Sequence, residues 1–406
     1  MPYPHRPRSA YLHIPFCHRR CYYCDFAVVP LGDQAQAEDG PGSASIRDYL
    51  ELLLREIDSA PAGPPLSTVY FGGGTPSLLT ANQIGSLLAA LRDHYGLQQG
   101  AEITLEMDPA SFDQRKLQDL IGHGINRVSL GGQSFDDAVL LDLGRRHRSS
   151  DLREACLWMQ DAHRSGSLRS WSLDLIQNLP GQTPDHWLDQ LEQAIATGAP
   201  HLSVYDLSVE PGTVFERRQR RGDLALPPEA LAVDLMALTG RQLAAAGLSR
   251  YEISNYARPG HASRHNRVYW SGAGWWGFGM GATSGAFGER LPRPRTREGY
   301  RAWLVEQAAA PNPTPDHWPP IPIDDQLLVG LRRREGVALE PIGCPEPQTL
   351  IERWRQLIAA GLVAQRAGRW QLTDPEGMAL SNQVLVEVLL WWEDCSDLAP
   401  TDPVPS

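Results

Sequence analysis

The chain has 406 residues, of which 42% are hydrophobic and 21% charged, as is usual for a folded globular protein. Its formal net charge of −11, from 48 acidic and 37 basic residues, argues against a nucleic-acid partner, because nucleic-acid binding normally needs a basic surface. No run of about 18 apolar residues predicts a transmembrane segment, and charges and prolines interrupt the N-terminus where a signal peptide needs an apolar core, so we expect a cytoplasmic protein.

Short β-rich runs alternate with longer helical patterns along the first two thirds of the chain. In chain order the runs are "AYLHIP", "TVYFGG", "EITLEMDP", "RVSLGGQS", "SWSLDLIQNLP" and "HLSVYDLSVEPG". Six strand–helix units in series predict an α/β fold with a mostly parallel sheet wound in one hand. Glycines and polar residues follow these strands, and a curved sheet brings six strand ends to one rim. The prediction is therefore a partial TIM-type (βα)6 barrel.

The pattern changes after the sixth unit. Residues 264–288 are rich in glycine and aromatic residues, and residues 310–325 are rich in proline, which predicts a linker. Helical patterns and a hairpin signal in "LVAQRAGRWQLT" follow, typical of a small winged-helix-like α+β domain. We thus predict a barrel with an extension at about 250–300 within residues 1–309, a linker at 310–325 and a C-terminal domain at 326–406. Because no helix of that domain is dense in basic residues, we expect it to pack or dock rather than to bind DNA.

Half of the six cysteines lie in "HIPFCHRRCYYCDF", residues 13–26, as Cys17, Cys21 and Cys24. In a reducing compartment such a cluster indicates metal or redox chemistry. Zinc would need a fourth ligand, for which the neighbouring candidates are His13, His18 and Asp25. An iron–sulfur cluster held by three thiolates would keep one iron open for a small molecule. The spacing alone leaves both interpretations open.

The spacing Cys-x3-Cys-x2-Cys, with Tyr23 just before the last cysteine, resembles the signature of the radical S-adenosylmethionine superfamily. The resemblance covers about residues 8–260. It implies a [4Fe-4S] cluster on Cys17, Cys21 and Cys24, with S-adenosylmethionine on the fourth iron. It further implies S-adenosylmethionine contacts at the positions that match family motifs, namely Tyr11, Gly73, Gly74, Thr75, Glu106, Gln133, Arg145, Asp174 and Ser208. Taken singly, each of these could be an ordinary polar or turn residue of the rim.

Longer matches narrow the resemblance to one branch of that superfamily. "YLHIPFC", "YFGGGTPS", "GGQSF", "LDLIQNLPGQT", "YDLSVEPGT" and "YEISNYA" resemble the branch of the oxygen-independent coproporphyrinogen III dehydrogenase and the HemW-type heme chaperones. The dehydrogenase pattern has another cysteine two positions after the third, where this chain has Phe26. It also carries a longer N-terminal segment, whereas only 16 residues precede Cys17 here. Both differences favour a chaperone, and they leave open whether the chain has enzymatic activity.

"RHNRVYW", residues 264–270, matches the His-Asn-x-x-Tyr-Trp motif associated with heme binding in the chaperones. The resemblance implies heme contacts at His265, Asn266, Tyr269 and Trp270, with heme and acceptor hemoproteins as partners. Neutral imidazole is a common axial ligand of heme iron, and aromatic rings stack on flat macrocycles. A histidine packed among core aromatics is the alternative for His265. A homodimer, a dehydrogenase and a zinc-stabilised binding protein stay open as alternatives at the level of the whole chain.

Overall fold

The computed structural model describes residues 6–32, 41–309 and 319–397 of the chain. Its strands, numbered in chain order, are β1 (Ser9–Ile14), β2 (Phe16–Cys17), β3 (Val29–Pro30), β4 (Leu66–Gly73), β5 (Leu97–Met107), β6 (Arg127–Gln133), β7 (Ser170–Gln177), β8 (His201–Asp206), β9 (Ser249–Arg250), β10 (Asn255–Ala257), β11 (Trp276–Phe278), β12 (Thr283–Ala286), β13 (Glu289–Pro292), β14 (Val363–Arg366) and β15 (Arg369–Leu372). Its helices are α1 (Pro41–Ser59), α2 (Ala81–Tyr95), α3 (Gln114–Gly122), α4 (Asp137–Asp142), α5 (Ser149–Arg164), α6 (Pro184–Ala196), α7 (Val214–Arg220), α8 (Glu229–Ala245), α9 (Arg264–Trp270), α10 (Arg297–Ala309), α11 (Ile323–Leu331), α12 (Pro347–Arg353), α13 (Arg355–Ala359), α14 (Glu376–Ala379) and α15 (Ser381–Asp397).

Local signals at the helix ends return the chain from each helix to the sheet. Helix α2 begins after Thr80 with a capping box, in which the Thr80 and Gln83 side chains each accept a hydrogen bond from the other residue's backbone N–H. Gly198 and Gly247 follow α6 and α8 with φ of 73° and 80°. Glycine adopts this left-handed conformation without a steric penalty, so it suits the turn that follows each of these two helices.

The main sheet has the strand order β11-β1-β4-β5-β6-β7-β8-β10-β9. From β1 to β8 neighbouring strands are parallel and follow one another in chain order, apart from the short β2 and β3. A doubly wound sheet would reverse its order at a switch point, so this uniform order is that of a partial (βα)6 barrel. The predicted α/β fold with its parallel central sheet is confirmed. Strand β11 extends the sheet at its first edge and β10 and β9 extend it, antiparallel, at its last.

The central strands are buried on both faces, but the two faces differ in chemistry. Because side chains alternate along a strand, Val69, Phe71 and Leu105 lie on the face that packs in the apolar core with the helices. The other face carries polar groups that bond across strands, for example Ser129 Oγ to Ser172 Oγ at 2.8 Å. The polar face becomes the inside of the barrel, which lets hydrogen bonds run between strands toward the rim.

The C-terminal part of the chain packs around a second apolar cluster. This cluster includes Leu327, Trp354, Val388 and Trp391, and the hairpin of β14 and β15 lies against it. Met236 of α8 belongs to the same cluster, so the barrel contacts this part of the chain directly. Of the predicted linker, residues 310–318 lie outside the described residues. No helix in the described ranges is both long and apolar enough to cross a bilayer.

Candidate functional site

A cavity of about 390 Å³ opens where the six parallel strands end. The three clustered cysteines line it, together with eight of the nine residues predicted to contact S-adenosylmethionine: Gly73, Gly74, Thr75, Glu106, Gln133, Arg145, Asp174 and Ser208. Phe26 lies at the same cavity with 52% of its surface exposed. Residues from five strand ends and from the cysteine loop therefore surround one space, as expected for the carboxyl ends of a barrel.

The cysteine loop is closed at its base by the short parallel pair of β2 and β3. Val29 N–H donates to Pro15 O at 2.7 Å, and Leu31 N–H donates to Cys17 O at 2.8 Å. His13 Nε2 donates to Ala27 O at 2.8 Å, and its Nδ1 accepts from Tyr11 Oη at 3.0 Å. Tyr11, the ninth predicted contact, is therefore not part of the cavity wall; it supports the cysteine loop from behind through His13.

The thiols of the cluster face an environment that disfavours free thiolates. Burial raises the pKa of Cys17 to about 12 and also raises the pKa of Cys24. In the described part of the chain, no three His, Cys, Asp or Glu side chains converge on a point where a single ion would sit. Three thiolates suit either a single metal ion that takes a fourth protein ligand or an iron–sulfur cluster with one open iron. His13, one of the three candidate fourth ligands for zinc, has both ring nitrogens hydrogen-bonded to other groups.

The glycines that end β4 are required by a close approach of the chain to itself. A Cβ atom on Gly73, which has φ of 117°, would lie 2.7 Å from the His13 ring and 3.0 Å from Ile14 O. A Cβ atom on Gly74 would lie 2.6 Å from Phe16 O and 2.8 Å from Pro15 O. From the sequence, these glycines are expected to let a ligand approach the backbone. In the structure they also let the segment that leads into the cysteines pack against the end of β4.

Two buried carboxyl groups face the cavity from β5 and β7. Glu106 Oε1 accepts from Tyr70 Oη at 2.9 Å, and its Oε2 accepts from Gly73 N at 3.0 Å. Asp174 Oδ2 accepts from Ser129 Oγ at 2.7 Å. Burial raises the pKa of Glu106 to about 7 and also raises the pKa of Asp174. Both groups therefore hold a proton more readily than a carboxyl in water does.

We expect Glu106→Gln to change how the stability of the metal-free protein depends on pH. The folded state keeps the Glu106 proton up to a pKa of about 7, while the unfolded chain releases it near the ordinary value. The free energy of unfolding of the wild type, measured relative to that of the variant, should therefore be highest below about pH 4. This difference should fall by about 3 kcal/mol between that pH and about pH 8. Urea unfolding of both proteins across this range is the measurement, and parallel pH curves would contradict the expectation.

Arg145 joins the cysteine loop to the floor of the cavity. Its Nη2 donates to Asp108 Oδ2 at 2.6 Å and to Gly131 O at 2.9 Å, while its Nη1 lies 3.6 Å from Cys21 Sγ. Burial alone would raise the pKa of Asp108, but Arg145 and His147 outweigh it and hold that pKa well below its usual range. The Nε of Arg145 is buried and has no hydrogen-bond partner among the described residues. A guanidinium with an unused donor is suited to an anionic group of a ligand.

The predicted heme motif lies on α9, and none of its residues lines this cavity. His265 is fully buried; its Nδ1 is hydrogen-bonded to Thr68 Oγ1 and its Nε2 to Tyr269 Oη, each at 2.7 Å. Burial lowers the pKa of His265 to about 3, so the ring is neutral. Asn266, Tyr269 and Trp270 are half-buried. Thr68 lies near the start of β4 and the cavity near its end, so the strand separates the motif from the cysteines.

Sequence reasoning missed two groups that shape the site. Tyr70, which holds Glu106, also lines the cavity. His147 Nδ1 lies 3.6 Å from Asp108 Oδ2, and its Nε2 is 3.0 Å from Gly132 O. Alternation along β4 places Tyr70 on the same face as Gly72, which was the available signal for it. No comparable signal marks His147, because its contacts depend on how a loop folds back over β6.

The chain resembles known proteins in sequence over most of its length. Residues 11–194 match the family model described as the Radical SAM superfamily. The chain is 40% identical over 401 residues to the "Heme chaperone HemW" of Synechocystis, covering 93% of this chain and 95% of that one. It is 33% identical over 399 residues to the protein of the same description from Lactococcus lactis, covering 95% of this chain and 98% of that one.

Among solved structures, the coproporphyrinogen III oxidase HemN from Escherichia coli, described as a radical SAM enzyme, superimposes with a TM-score of 0.73. The superposition covers 95% of this chain and 91% of that one, at 24% sequence identity. At this level of identity the likeness establishes a shared fold.

Proposed function

The chain belongs to the family of HemW heme chaperones within the radical SAM superfamily, and we propose that it binds heme and transfers it to acceptor hemoproteins. The observation that carries the proposal is the length of the match. The 40% identity runs over 95% of the relative from Synechocystis, so it takes in the barrel, the extension with α9 and the C-terminal part together. A shared barrel alone would support only the superfamily.

We propose that Cys17, Cys21 and Cys24 hold a [4Fe-4S] cluster and that the cavity beside them binds S-adenosylmethionine. When bound, the cluster supplies one-electron chemistry to that molecule. The chain's own part is to orient the ligand. Gly73 and Gly74 present backbone free of side chains, and Arg145 offers its unused donor. The eight wall residues predicted from the sequence support this proposal by lining one cavity.

The heme-binding part of the proposal predicts saturable binding when the anaerobically reconstituted protein is titrated with heme. We expect a saturable change in the heme absorption spectrum, followed by appearance of the holo spectrum when an apo-hemoprotein such as apomyoglobin is added. Serum albumin carrying the same heme load is the control for passive release. Non-saturable binding of heme, or transfer of heme no faster than from albumin, would contradict the proposal.

The motif on α9 is tested best at Trp270, because this side chain is half-buried and lies under Arg332 at 5.6 Å rather than in the barrel interior. If the motif contacts heme, Trp270→Ala should weaken heme binding about tenfold, the usual scale for losing an aromatic anchor. Trp392→Ala, at a half-buried tryptophan of the C-terminal cluster, is the matched control. Equal heme affinities for the two variants would remove Trp270 from the site.

The dehydrogenase alternative predicts a different product. Reduced, reconstituted protein incubated with coproporphyrinogen III and S-adenosylmethionine should form no protoporphyrinogen IX if the chain is a chaperone. Formation of that product would favour the dehydrogenase. The likeness to HemN does not decide between them, because it is a likeness of fold at 24% identity.

A further inference from the structure

Three aromatic rings form a stack inside the barrel below the cavity. The Tyr70 ring lies 5.0 Å from the His265 ring at an interplanar angle of 25°, and 6.1 Å from the Tyr11 ring at 24°. Tyr70 comes from β4, Tyr11 from β1 and His265 from α9. The stack therefore joins the predicted heme motif to the two strands that end at the cysteines and glycines of the cavity.

Two hydrogen-bonded routes lead from this stack to the cavity. Tyr70 Oη donates to Glu106 Oε1 at 2.9 Å, and Glu106 Oε2 accepts from Gly73 N at 3.0 Å. Tyr11 Oη donates to His13 Nδ1 at 3.0 Å, and His13 Nε2 donates to Ala27 O at 2.8 Å. The first route ends at the glycine turn, and the second ends in the cysteine loop.

The side chains along these two routes pack closely around Gly72. A Cβ atom on Gly72 would lie 2.8 Å from the Tyr11 ring, 2.9 Å from the Tyr70 ring and 3.0 Å from Glu106 Oε1. Side chains packed this tightly transmit displacement to their neighbours rather than absorbing it. Tyr70, Tyr11 and Glu106 thus converge around Gly72, and Tyr70 is linked directly to Glu106 by a hydrogen bond and to Tyr11 by ring stacking.

His265 is fixed as a part of the interior rather than presented as a ligand. Its two ring nitrogens bond to Thr68 and Tyr269, so neither is free to bind an iron. Glu102 of β5 holds the start of α9, because its carboxylate accepts from His265 N at 3.0 Å and from Arg264 N at 3.2 Å. The ring is thereby held by three neighbours, Thr68, Tyr269 and the stacked Tyr70, and its backbone is held by Glu102.

We propose that His265 is a positioning residue for the S-adenosylmethionine cavity, acting through Tyr70 on Glu106 and through Tyr11 on the cysteine loop. The inference rests on the proposed function in one respect, that this cavity binds S-adenosylmethionine. It assigns His265 a role distinct from the heme contact that the motif suggests. Trp270, which is half-buried beside Arg332, remains a candidate for contact with heme.

The experiment compares binding of S-adenosylmethionine and of heme in four cluster-loaded variants. Tyr70→Phe keeps the ring and removes only the hydroxyl that holds Glu106, and His265→Ala removes the bottom of the stack. The third variant combines the two changes, and Trp270→Ala, on the same helix but outside the stack, is the matched control. Equilibrium dialysis gives the affinity for S-adenosylmethionine, heme titration gives the affinity for heme, and circular dichroism checks the fold.

We expect Tyr70→Phe and His265→Ala each to weaken S-adenosylmethionine binding about tenfold, the scale of losing one hydrogen bond to a carboxylate. The double variant should be weakened by much less than about a hundredfold, because both changes act along one path. Heme affinity should be unchanged in Tyr70→Phe, and S-adenosylmethionine affinity should be unchanged in Trp270→Ala.

The inference is overturned by wild-type affinity for S-adenosylmethionine in Tyr70→Phe or in a folded His265→Ala, whatever the heme affinity of the latter. If that His265→Ala protein has also lost heme binding, His265 is a heme ligand. If His265→Ala fails to fold, Tyr70→Phe alone decides. If the wild type does not bind heme, the proposed chaperone function is contradicted, but the comparison of S-adenosylmethionine affinities between the variants still stands. If the wild type does not bind S-adenosylmethionine, the inference about His265 is overturned.

Discussion

Cys21→Ala is expected to abolish the iron–sulfur cluster while leaving the barrel folded. Three thiolates line the cavity, and the loop that carries them is closed by β2 and β3, so the remaining two cannot move together to compensate. Loss of an outer partner of a metal ligand costs about 10- to 100-fold in affinity, and loss of the ligand itself should cost at least as much. Cys21 is half-buried, unlike Cys17, so its truncation leaves the apolar core unchanged.

Iron and acid-labile sulfide per chain, measured after anaerobic reconstitution, should fall at least about tenfold. The matched control is Cys344→Ala, since Cys344 is also half-buried but belongs to the C-terminal cluster. It should retain the wild-type iron content and a reduced-state paramagnetic signal that changes when S-adenosylmethionine is added. Equal iron and sulfide in the two variants would contradict the assignment, and zinc without sulfide in the wild type would favour a structural zinc site.

Gly74→Ala is expected to destabilise the barrel by about 3 kcal/mol, at the upper end of what an overpacked position costs. The added Cβ atom would meet Phe16 O at 2.6 Å and Pro15 O at 2.8 Å, and both are backbone atoms that cannot rotate away. Both carbonyls also accept hydrogen bonds, from Thr75 N at 2.6 Å and from Val29 N at 2.7 Å. Relief of the clash must therefore disturb the base of the cysteine loop.

Gly122→Ala is the matched control for that glycine substitution. Gly122 lies in α3, and a Cβ atom there would meet nothing within 4 Å, so alanine should be neutral or should stabilise by up to about 1 kcal/mol. Urea unfolding of the metal-free proteins gives the stabilities, and cluster content after reconstitution gives a second readout. A Gly74→Ala protein as stable as Gly122→Ala would show that the contact with β2 relaxes without cost.

The fold could be predicted from the sequence because each of its six strand–helix units has a local sequence pattern. Each strand run is followed by a helical pattern, and the strands follow one another in the sheet as they do in the chain. Strand β11 was not predicted, because "WGF" is only three residues long and is surrounded by glycines. It is a strand because its backbone pairs with β1, at Tyr11 with Gly277, and that pairing is a tertiary effect that overrides local preference.

The cavity wall could be predicted from residues at strand ends, whereas the links between them could not. Glu106 and Gly73 were predicted because they match motifs of the family that the chain resembles, and both lie at the ends of β-rich runs. The hydrogen bond from Tyr70 to Glu106 depends on the register between β4 and β5, and this register cannot be read from a single sequence. The motif around His265 could be recognised, but its partner Thr68 lies 197 positions away, so the engagement of both ring nitrogens was beyond sequence reasoning.

The pairing of β11 with β1 has a consequence for how the protein is made. The strand that leads into the cysteines is an edge strand until residues 276–278 have been synthesised and can pair with it. Since α9 precedes β11, the base of the His265 stack reaches the barrel at the same stage of translation. In a nascent chain that ends before residue 278, β1 is therefore an edge strand with one side unpaired.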